Sequence, residues 1–282
     1  MDLTGNIVAS GMTFDFRNRA RASLNKAKEL LASGDTEDLE FAALKLRKAM
    51  EALTYERSKI YADDLGPKSM MTWQPKKLMD RMLEVDPYAD KAARISIGRE
   101  PTPGETPEFM RLLGTDNVLD MQTLKKHYDA LGAYLHTETL DQIHNGKAHD
   151  LIKLRKRCDA IVEAVEVVLS SRIWNSSMAN RGQIECHECG SIIRRRLGRD
   201  GEPRVVQCWE CDASYTLTDI GNRKVHFEPR MQDVLCPVEG CAGSFPLWER
   251  EFIVGTRWKC RDCGHMLHLA PGVAIDENIY DE

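Results

Sequence analysis

Eight of the nine cysteines in this chain lie in its last third, where they form four closely spaced pairs. The first and second pairs are separated by eighteen residues, and so are the third and fourth. Each short pair can present two thiolates from one turn, and two such turns complete a four-sulfur site for a tetrahedral Zn²⁺ ion. The spacing therefore predicts two zinc ions per chain, one bound by Cys186, Cys189, Cys208 and Cys211 and one by Cys236, Cys241, Cys260 and Cys263.

Four disulfide bonds are the alternative use of these eight cysteines. The spacing is that of a metal site, and residues 1–6 lack the basic and apolar pattern of an export signal, which favours reduced thiols and the cytoplasm. The residues that follow the pairs also suit tight turns. Gly190, Gly243 and Gly264 permit a positive φ there, and Asp212 tolerates one.

Short strand-like runs surround the cysteine pairs. They are residues 204–207 and 214–218 in the first half of the pattern, and 252–254, 256–258 and 266–269 in the second. Short β-segments around two cysteine turns are typical of a zinc ribbon. The sequence therefore predicts two tandem ribbons, at 182–222 and 232–272.

The charge of the cysteine-rich part limits what it can bind. Residues 182–282 carry 12 Lys/Arg and 17 Asp/Glu, whereas residues 1–181 carry 27 of each. A four-thiolate zinc site adds about two further negative charges. A module that bound nucleic acid through its overall charge would be basic, so a contact with nucleic acid would have to be local.

One local basic cluster lies in the predicted first ribbon. Three consecutive arginines occur there, and strand alternation would place Arg194 and Arg196 on one face and Arg195 on the other. Clustered arginines suit bidentate contact with phosphate, and Trp209 could stack on a base or on a partner's side chain. The alternative is a solvated hairpin whose arginines offset nearby acidic residues. The nucleic-acid-binding candidates are Arg194, Arg195, Arg196 and Trp209.

The first 173 residues predict a helical bundle. Apolar residues at steps of three and four, with capping residues and prolines between them, indicate five main helices. They are residues 14–32 with Thr13 as N-cap, 36 to about 64, 75–85, 121–135 and 148–172. Cys158 lies on the apolar stripe of the last of these and is expected in the core. The stretch 87–107 predicts an irregular insertion with a strand at 93–97, followed by a short helix at 108–113.

The predicted fold class is therefore α with small β elements. An N-terminal helical bundle at 13–173 is followed by a linker at 174–181, two C-terminal four-cysteine zinc ribbons, and an acidic tail at 276–282. The most apolar helical stretch is interrupted by Glu163 and Glu166, so no membrane span is expected.

Two stretches of the helical half resemble a known superfamily. Residues 41–53, FAALKLRKAMEAL, and residues 126–136, KHYDALGAYLH, are similar to segments of HEPN-superfamily domains. The resemblance implies an up-and-down bundle that usually dimerises, in bacterial toxin–antitoxin, abortive-infection or CRISPR-linked proteins. Active members are metal-independent ribonucleases that use an arginine followed, after four to six residues, by a histidine.

This chain departs from that catalytic pattern. No histidine between residues 127 and 149 is preceded by an arginine at the required spacing, so the RNA-cleaving pair does not transfer. His136 is carried over as a structural or binding position and is the weak catalytic candidate, with Tyr134 or Asp129 beside it. His127, His144 and His149 are expected to be surface or capping residues.

These observations predict a zinc-binding, non-catalytic regulatory protein that binds nucleic acid or a protein partner. The resemblance suggests antiphage defence or a toxin–antitoxin system as its context. One alternative is a HEPN-type ribonuclease with a displaced active site near His136, and another is a protein-interaction adaptor that works through the ribbons. A homodimer is expected, because Phe41 and Leu44 add apolar positions to a second side of the second helix.

Overall fold

The computed structural model describes residues 14–65, 71–102, 105–146, 149–176, 181–197, 202–221 and 224–271. The chain divides into two compact units, residues 1–178 and residues 179–282. We call them the helical unit and the ribbon unit. Helices packed together, followed by small antiparallel β-elements that carry the cysteines, confirm the predicted fold class.

The described part of the helical unit contains six α-helices and one β-hairpin. They are α1 (Phe16–Ser33), α2 (Thr36–Ser58), α3 (Pro75–Val85), β1 (Ala93–Ile97), β2 (Arg111–Asp116), α4 (Met121–Ala133), α5 (Leu140–His144) and α6 (Leu151–Ser170). Four helices begin alike, because Asp15, Asp35, Asp120 and Asp150 each accept a backbone N–H of the first turn. A carboxylate at this position satisfies a free N–H and complements the helix dipole. Within the described residues, none of these helices is long and apolar enough to cross a membrane.

Helix α2 is the centre of the helical unit. It packs against α1, α3, α4 and α6, and Leu46 and Met50 are completely buried. Its apolar positions on more than one side are therefore covered by neighbouring helices. Phe41 remains 50 % exposed, but α2 as a whole does not require a second copy of the chain to cover it.

Helix boundaries differ from the sequence predictions at several points. Helix α2 ends at Ser58 and continues only as a short 3-10 turn, Lys59–Tyr61, and α6 ends at Ser170. Asp15 caps α1. The predicted cap Thr13 and the predicted helix start at Ala148 lie outside the described residues.

The short helix predicted at 108–113 is wrong. Residues Arg111–Asp116 form strand β2, which pairs antiparallel with β1 from Ala93↔Asp116 to Ile97↔Arg111. The register shifts between Ile95 and Ser96, which marks a β-bulge. A six-residue helix without tertiary cover is marginal, whereas the strand satisfies its backbone groups against β1. The strand predicted at 93–97 is confirmed.

Residues 174–176, which the sequence assigned to a linker, contact the helical unit. The Asn175 side chain donates to the Glu56 carbonyl at 2.9 Å. The Ser176 hydroxyl and N–H both donate to the buried carboxylate of Asp116. This segment is therefore held on the helical unit up to the last residue described before the boundary.

The described part of the ribbon unit is built of short antiparallel strands. They are β3 (Arg181–Glu185), β4 (Ile192–Arg196), β5 (Arg204–Gln207), β6 (Ser214–Gly221), β7 (Lys224–Pro229), β8 (Met231–Leu235), β9 (Ser244–Trp248), β10 (Arg257–Lys259) and β11 (Met266–His268). Strands β5, β6 and β7 form one three-stranded sheet, and the pairs β3–β4, β8–β9 and β10–β11 form hairpins.

Most predicted strands of this unit are confirmed, but one is wrong. Residues 252–254 follow a 3-10 helix, Glu249–Glu251, and lie in a turn. The Ile253 N–H donates to the Glu251 carbonyl, and the Thr256 N–H to the Ile253 carbonyl. These local backbone hydrogen bonds replace those that a strand would form with a neighbouring strand. The acidic tail at 276–282 lies outside the described residues.

Candidate metal centres

The first cysteine cluster joins two hairpin turns. Cys186 and Cys189 lie between β3 and β4, and Cys208 and Cys211 lie between β5 and β6. The Sγ atoms of Cys186 and Cys211 are 3.6 Å apart, as are those of Cys189 and Cys208. All four sulfurs lie within 4.8 Å of one another, so they surround one point.

The second cluster repeats this arrangement. Cys236 and Cys241 lie between β8 and β9, and Cys260 and Cys263 lie between β10 and β11. The Cys236 and Cys263 sulfurs are 3.7 Å apart, and so are those of Cys241 and Cys260. Each cluster could hold one metal ion.

Backbone turns aim the sulfurs at one point. The N–H groups of Gly190, Asp212 and Gly264 donate to the carbonyls of Cys186, Cys208 and Cys260 at 2.9, 2.9 and 3.0 Å. These three residues have φ values of 74°, 59° and 77°. The predicted positive φ is confirmed at all three positions, which explains the glycines and the tolerated aspartate.

The prediction for Gly243 is wrong. In the longer Cys236–Cys241 turn the positive φ, 74°, belongs to Gly240. Gly243 is required for a different reason, since a Cβ there would lie 2.9 Å from the Cys260 Sγ. Its N–H also points at the Cys241 Sγ at 3.4 Å. The glycine therefore gives the backbone close access to the sulfurs.

A disulfide arrangement is not present. All nine cysteines are free, and the sulfur separations far exceed the roughly 2.05 Å of a disulfide bond. Four thiolate donors fill a tetrahedral shell and leave no position for a substrate or an activated water. The arrangement can therefore bind and stabilise, and it does not have the open coordination position of a catalytic metal site.

Hydrogen bonds favour the thiolate form of selected cysteines. Burial opposes ionisation of Cys186, but the Tyr215 hydroxyl, which donates to its Sγ at 3.4 Å, and nearby backbone N–H groups lower the pKa of this thiol to about 6. In the second cluster the Cys263 N–H is the main group that lowers the pKa of Cys260, to about 7, despite an opposing burial effect. Both effects favour metal binding, which requires thiolates.

The two clusters differ in their surroundings. The first cluster lies in a core that includes Ala213, Tyr215, Leu217 and Trp248. Within the described residues, Leu267 is the only buried apolar side chain other than cysteine in the core of the second. The first metal position is thus supported by packing that the second lacks.

Trp248 connects the two ribbons. It belongs to β9, within the predicted second ribbon, yet it is 3 % exposed and packs edge-on against Tyr215 with 5.4 Å between ring centroids. Its indole N–H donates to Glu188, between the first two cysteines, at 2.8 Å. The Arg230–Glu249 ion pair, at 2.6 Å, lies at the same junction. Strand β9 of the predicted second ribbon therefore contributes to the core of the first cluster, so the ribbons are not independent modules.

The predicted nucleic-acid-binding residues do not all lie on one surface. Arg194 and Arg196 lie on the partly exposed face of β4, whereas Arg195 is 2 % exposed. The Arg195 guanidinium donates to the Arg194 and Gln207 carbonyls and stacks on Trp209 at 4.5 Å. Arg195 and Trp209 thus hold β4 against the β5 turn, and a contact of these two residues with nucleic acid stays a prediction.

Sequence reasoning missed Arg181. It lies opposite Arg196 in the β3–β4 ladder, and Gln183 lies opposite Arg194. Directly opposed residues share a face, so Arg181, Arg194 and Arg196 form one group of three cations, which we call the arginine face. The signal that identifies it is the alternation of residues 181–185, of which only Arg181 falls in the predicted linker at 174–181.

The weak catalytic candidate has no matching constellation in the described residues. His136 is exposed in the turn after α4. Asp129 is paired with Lys76, and the Tyr134 ring contacts that of His149 at 4.9 Å. The two groups named as helpers for His136 are therefore engaged with other residues, and a catalytic role for His136 stays a prediction.

Comparison with known proteins identifies no relative. No protein-family model matches the chain, no curated protein is significantly similar to it, and no solved structure matches it. The resemblance of residues 41–53 and 126–136 to HEPN domains therefore stays a prediction from those two stretches.

Proposed function

We propose that this chain is a zinc protein in which each cysteine cluster holds one structural Zn²⁺ ion. The sulfur separations of 3.6 and 3.7 Å support this identity of the metal. A regular tetrahedron with Zn–S bonds of about 2.3 Å has edges of about 3.8 Å. An all-thiolate set favours soft or borderline ions such as Zn²⁺ over Mg²⁺ or Ca²⁺.

Elemental analysis of the purified protein tests the metal proposal. Two zinc atoms per chain are expected, with Cys158→Ser leaving the content unchanged because Cys158 is a core residue of α6 far from either cluster in sequence. Iron in place of zinc, or fewer than two metal atoms in freshly purified protein, contradicts it.

The ribbon unit further acts, in this proposal, as a contact for nucleic-acid phosphate. The observation that carries the proposal is the arginine face, in which Arg181, Arg194 and Arg196 lie on one side of a hairpin next to the first cluster. Guanidinium groups bind phosphate oxygens in a bidentate manner, and a hairpin held by a metal site orders them before binding. Because the chain is acidic overall, the contact is local and depends on salt.

Two charge-reversal variants, one of the arginine face and one of a control surface, test the phosphate contact. Arg181→Glu, Arg194→Glu and Arg196→Glu together are expected to abolish the fluorescence-anisotropy change of a labelled single-stranded or duplex oligonucleotide. The logarithmic salt dependence of the parent should fall by about 0.9 per phosphate contact removed from a duplex. Arg195 is left intact, because its buried guanidinium supports the fold.

The matched control lies in the second ribbon. Arg257, Lys259 and Arg261 are exposed on and beside β10, so reversing them changes the net charge by the same amount. This variant is expected to bind nearly as well as the parent, and both variants should retain two zinc atoms. Equal loss in both, or no loss in either, contradicts a specific role for the arginine face.

A protein-binding adaptor is the second candidate, and one observation favours it. The turn at Phe252–Val254 exposes three consecutive apolar side chains, with Ile253 64 % and Val254 66 % exposed. Exposed apolar groups that do not pack in a core mark contact surfaces. If the parent binds no oligonucleotide at low salt while it carries both zinc ions, the adaptor function is favoured.

A further inference from the structure

A cleft opens in the helical unit between the start of α1, the end of α2 and the segment that follows α6. Its volume is about 380 Å³, within the range of roughly 300–1,000 Å³ that is usual for small-molecule sites. Its lining combines the aromatic rings of Phe14 and Trp174 with the cationic side chains of Arg17, Arg21 and Lys59. All of its residues belong to the helical unit, so the cleft is separate from both cysteine clusters.

The two aromatic rings have much of their surface free. Phe14 is 51 % exposed and Trp174 is 48 % exposed. Trp174 is nevertheless held in place. The Arg17 guanidinium lies over the indole at 4.6 Å, and the neighbouring Asn175 side chain donates to the Glu56 carbonyl at 2.9 Å. Exposed rings on a fixed backbone favour a planar ligand, because ring–ring stacking and edge contacts stabilise it.

The two arginines of the cleft are bonded to uncharged groups. The Arg17 guanidinium is buried and donates to three backbone carbonyls at the end of α6, at 2.9–3.1 Å. The exposed Arg21 side chain donates to the Asn18 side-chain oxygen at 2.7 Å. Among the carboxylates that the structure describes, none forms an ion pair with either guanidinium. Burial, and then the nearby positive charge of Arg21, lower the pKa of Arg17.

The two carboxylates of the cleft are already engaged. Asp15 caps α1 and accepts the backbone N–H and the side-chain amide of Asn18 at 2.8 and 2.6 Å. Glu56 is 8 % exposed and accepts the Lys59 ammonium at 2.8 Å and the Asn175 amide at 3.0 Å. The arginines therefore keep an uncompensated positive charge at the wall of the cleft. A bound anion pairs with such a charge through charge-assisted hydrogen bonds.

We infer that this cleft is a binding site for a planar aromatic ring that carries an anionic group, as in a nucleotide unit. The ring contacts Phe14 and Trp174, and the phosphate accepts hydrogen bonds from the exposed Arg21 guanidinium. Arg17 adds positive charge and fixes the wall of the cleft through its bonds to α6. A free mononucleotide and the end of a single strand share this chemistry. The site goes beyond the proposed function, because it depends neither on zinc nor on the arginine face.

Isothermal titration calorimetry of the intact zinc-loaded chain with adenosine 5′-monophosphate tests this inference. Binding is expected, and adenosine without the phosphate or inorganic phosphate without the ring should each bind more weakly by about tenfold or more. Arg21→Gln should remove the preference for adenosine monophosphate over adenosine, because this side chain contacts the phosphate. Phe14→Ala should weaken the binding of both. Arg17 is left intact, because its buried guanidinium supports the end of α6.

The control variant is Lys48→Gln. Lys48 is exposed on α2 about three helical turns before Lys59, so this change removes one positive charge from the same helical unit at a distance from the cleft. It should bind adenosine monophosphate as the parent does. The far-UV circular dichroism and the urea midpoint of all three variants should match those of the parent, which separates a loss of binding from a loss of folding.

A single-stranded trinucleotide distinguishes the two sources of the ligand. It is titrated into the chain with Arg181→Glu, Arg194→Glu and Arg196→Glu, so that the arginine face does not contribute. Binding tighter than that of adenosine monophosphate by about tenfold or more assigns the cleft to the end of a strand, and equal affinity assigns it to a free nucleotide.

Three results would overturn the inference. They are a parent that does not bind adenosine monophosphate, equal binding of this nucleotide and of adenosine or inorganic phosphate, and binding that is unchanged in Arg21→Gln and Phe14→Ala. Adenosine monophosphate should bind equally to the parent and to the chain with the reversed arginine face. A failure of the cleft is therefore distinguishable from a failure of the proposed phosphate contact.

Discussion

The helical unit buries a continuous apolar core, whereas the ribbon unit divides a much smaller one between two cysteine clusters. In the first, residues from four helices, among them Leu46, Leu78, Leu124 and Leu154, are at most 1 % exposed. In the second, the core around Tyr215 contains three buried aromatic rings, and the core of the second cluster contains Leu267 and cysteines. Apolar burial thus decreases along the chain as thiolate clusters take its place.

In a short β-unit, metal binding at such clusters would take the place of core volume. Burial of a large aliphatic side chain contributes about 1.5–3 kcal/mol, whereas apparent zinc binding in a small four-ligand site contributes about 10 kcal/mol or more. The second cluster depends most on this substitution because it has the least packing. The helical unit should not respond to metal at all.

Loss of one ligand from the second cluster tests the largest expected difference between the two units, which is their dependence on metal. Cys260→Ser removes the most buried thiolate of that cluster, which is 1 % exposed, and should eliminate one bound metal ion. Without a metal contribution on the order of 10 kcal/mol, the turn around Leu267 should lose its ordered structure. Zinc content near one per chain, together with amide exchange that becomes fast only in residues 231–271, would show this.

The control for this experiment is the helical unit of the same molecule. Its far-UV circular dichroism and its urea midpoint should be the same in the parent, in Cys260→Ser and in the parent with a chelator. A helical unit that melts when metal is removed would contradict the comparison and indicate that the units stabilise each other.

The role of Trp248 tests whether a residue of the second ribbon supports the first cluster. Trp248→Ala removes a ring that is 3 % exposed, together with its contact with Tyr215 and its hydrogen bond to Glu188. We expect a loss of about 3–5 kcal/mol from the ribbon unit and faster release of metal from the first cluster. Competition with a chromogenic chelator measures the release rate of each ion.

Trp258→Ala is the matched variant in the second cluster. Its ring packs against Phe245 at 5.9 Å between centroids, so it should accelerate metal release from the second cluster only. If Trp248→Ala affects only the second cluster, to which it belongs in sequence, then its packing in the core of the first cluster does not contribute to metal retention.

The metal centres could be predicted from the sequence because their chemistry is encoded in short spacings. Cys186 and Cys189 need only a turn between them to bind one ion. Gly190 after them indicates a turn that ends in a positive φ. The placement of Arg194 and Arg195 on opposite faces of β4 followed from strand alternation alone. In these cases the determining contacts are local, and local contacts can be read from neighbouring residues.

Other features depended on contacts between distant parts of the chain. Alternation separates Arg195 from Arg194, but only the approach of β7 decides which face is buried, because Val225 packs where a Cβ on Gly182 would lie. Nothing near Trp248 indicates that it packs on Tyr215, thirty-three residues earlier. The helix wrongly predicted at 108–113 failed for the same reason, since its partner strand β1 lies beyond a loop.

The smallest predicted effect is a response of the helical unit to acid instead of metal. His127, which the sequence predicts as a surface or capping residue, is only 8 % exposed and contacts Arg157, with 3.5 Å between Nδ1 and Nη1. The prediction is wrong for this histidine. Burial, and then the positive charges of Arg157 and Lys126, lower its pKa below the ordinary value of 6.5. The folded chain therefore holds a neutral imidazole at a pH where the unfolded chain already binds a proton.

The sign of the effect follows from this difference in proton binding. Above pH 6.5, the ordinary value, the lowered pKa has no effect on stability, and below it the free energy of unfolding should fall by at most about 1.4 kcal/mol per pH unit. Urea titrations followed by helical circular dichroism between about pH 7.5 and about pH 5.5 measure the slope. His127→Gln should flatten it, with or without chelator, whereas His226→Gln in the ribbon unit should not. An acid slope that persists unchanged in His127→Gln would assign the proton to another group and leave this imidazole without a role in the stability of the bundle.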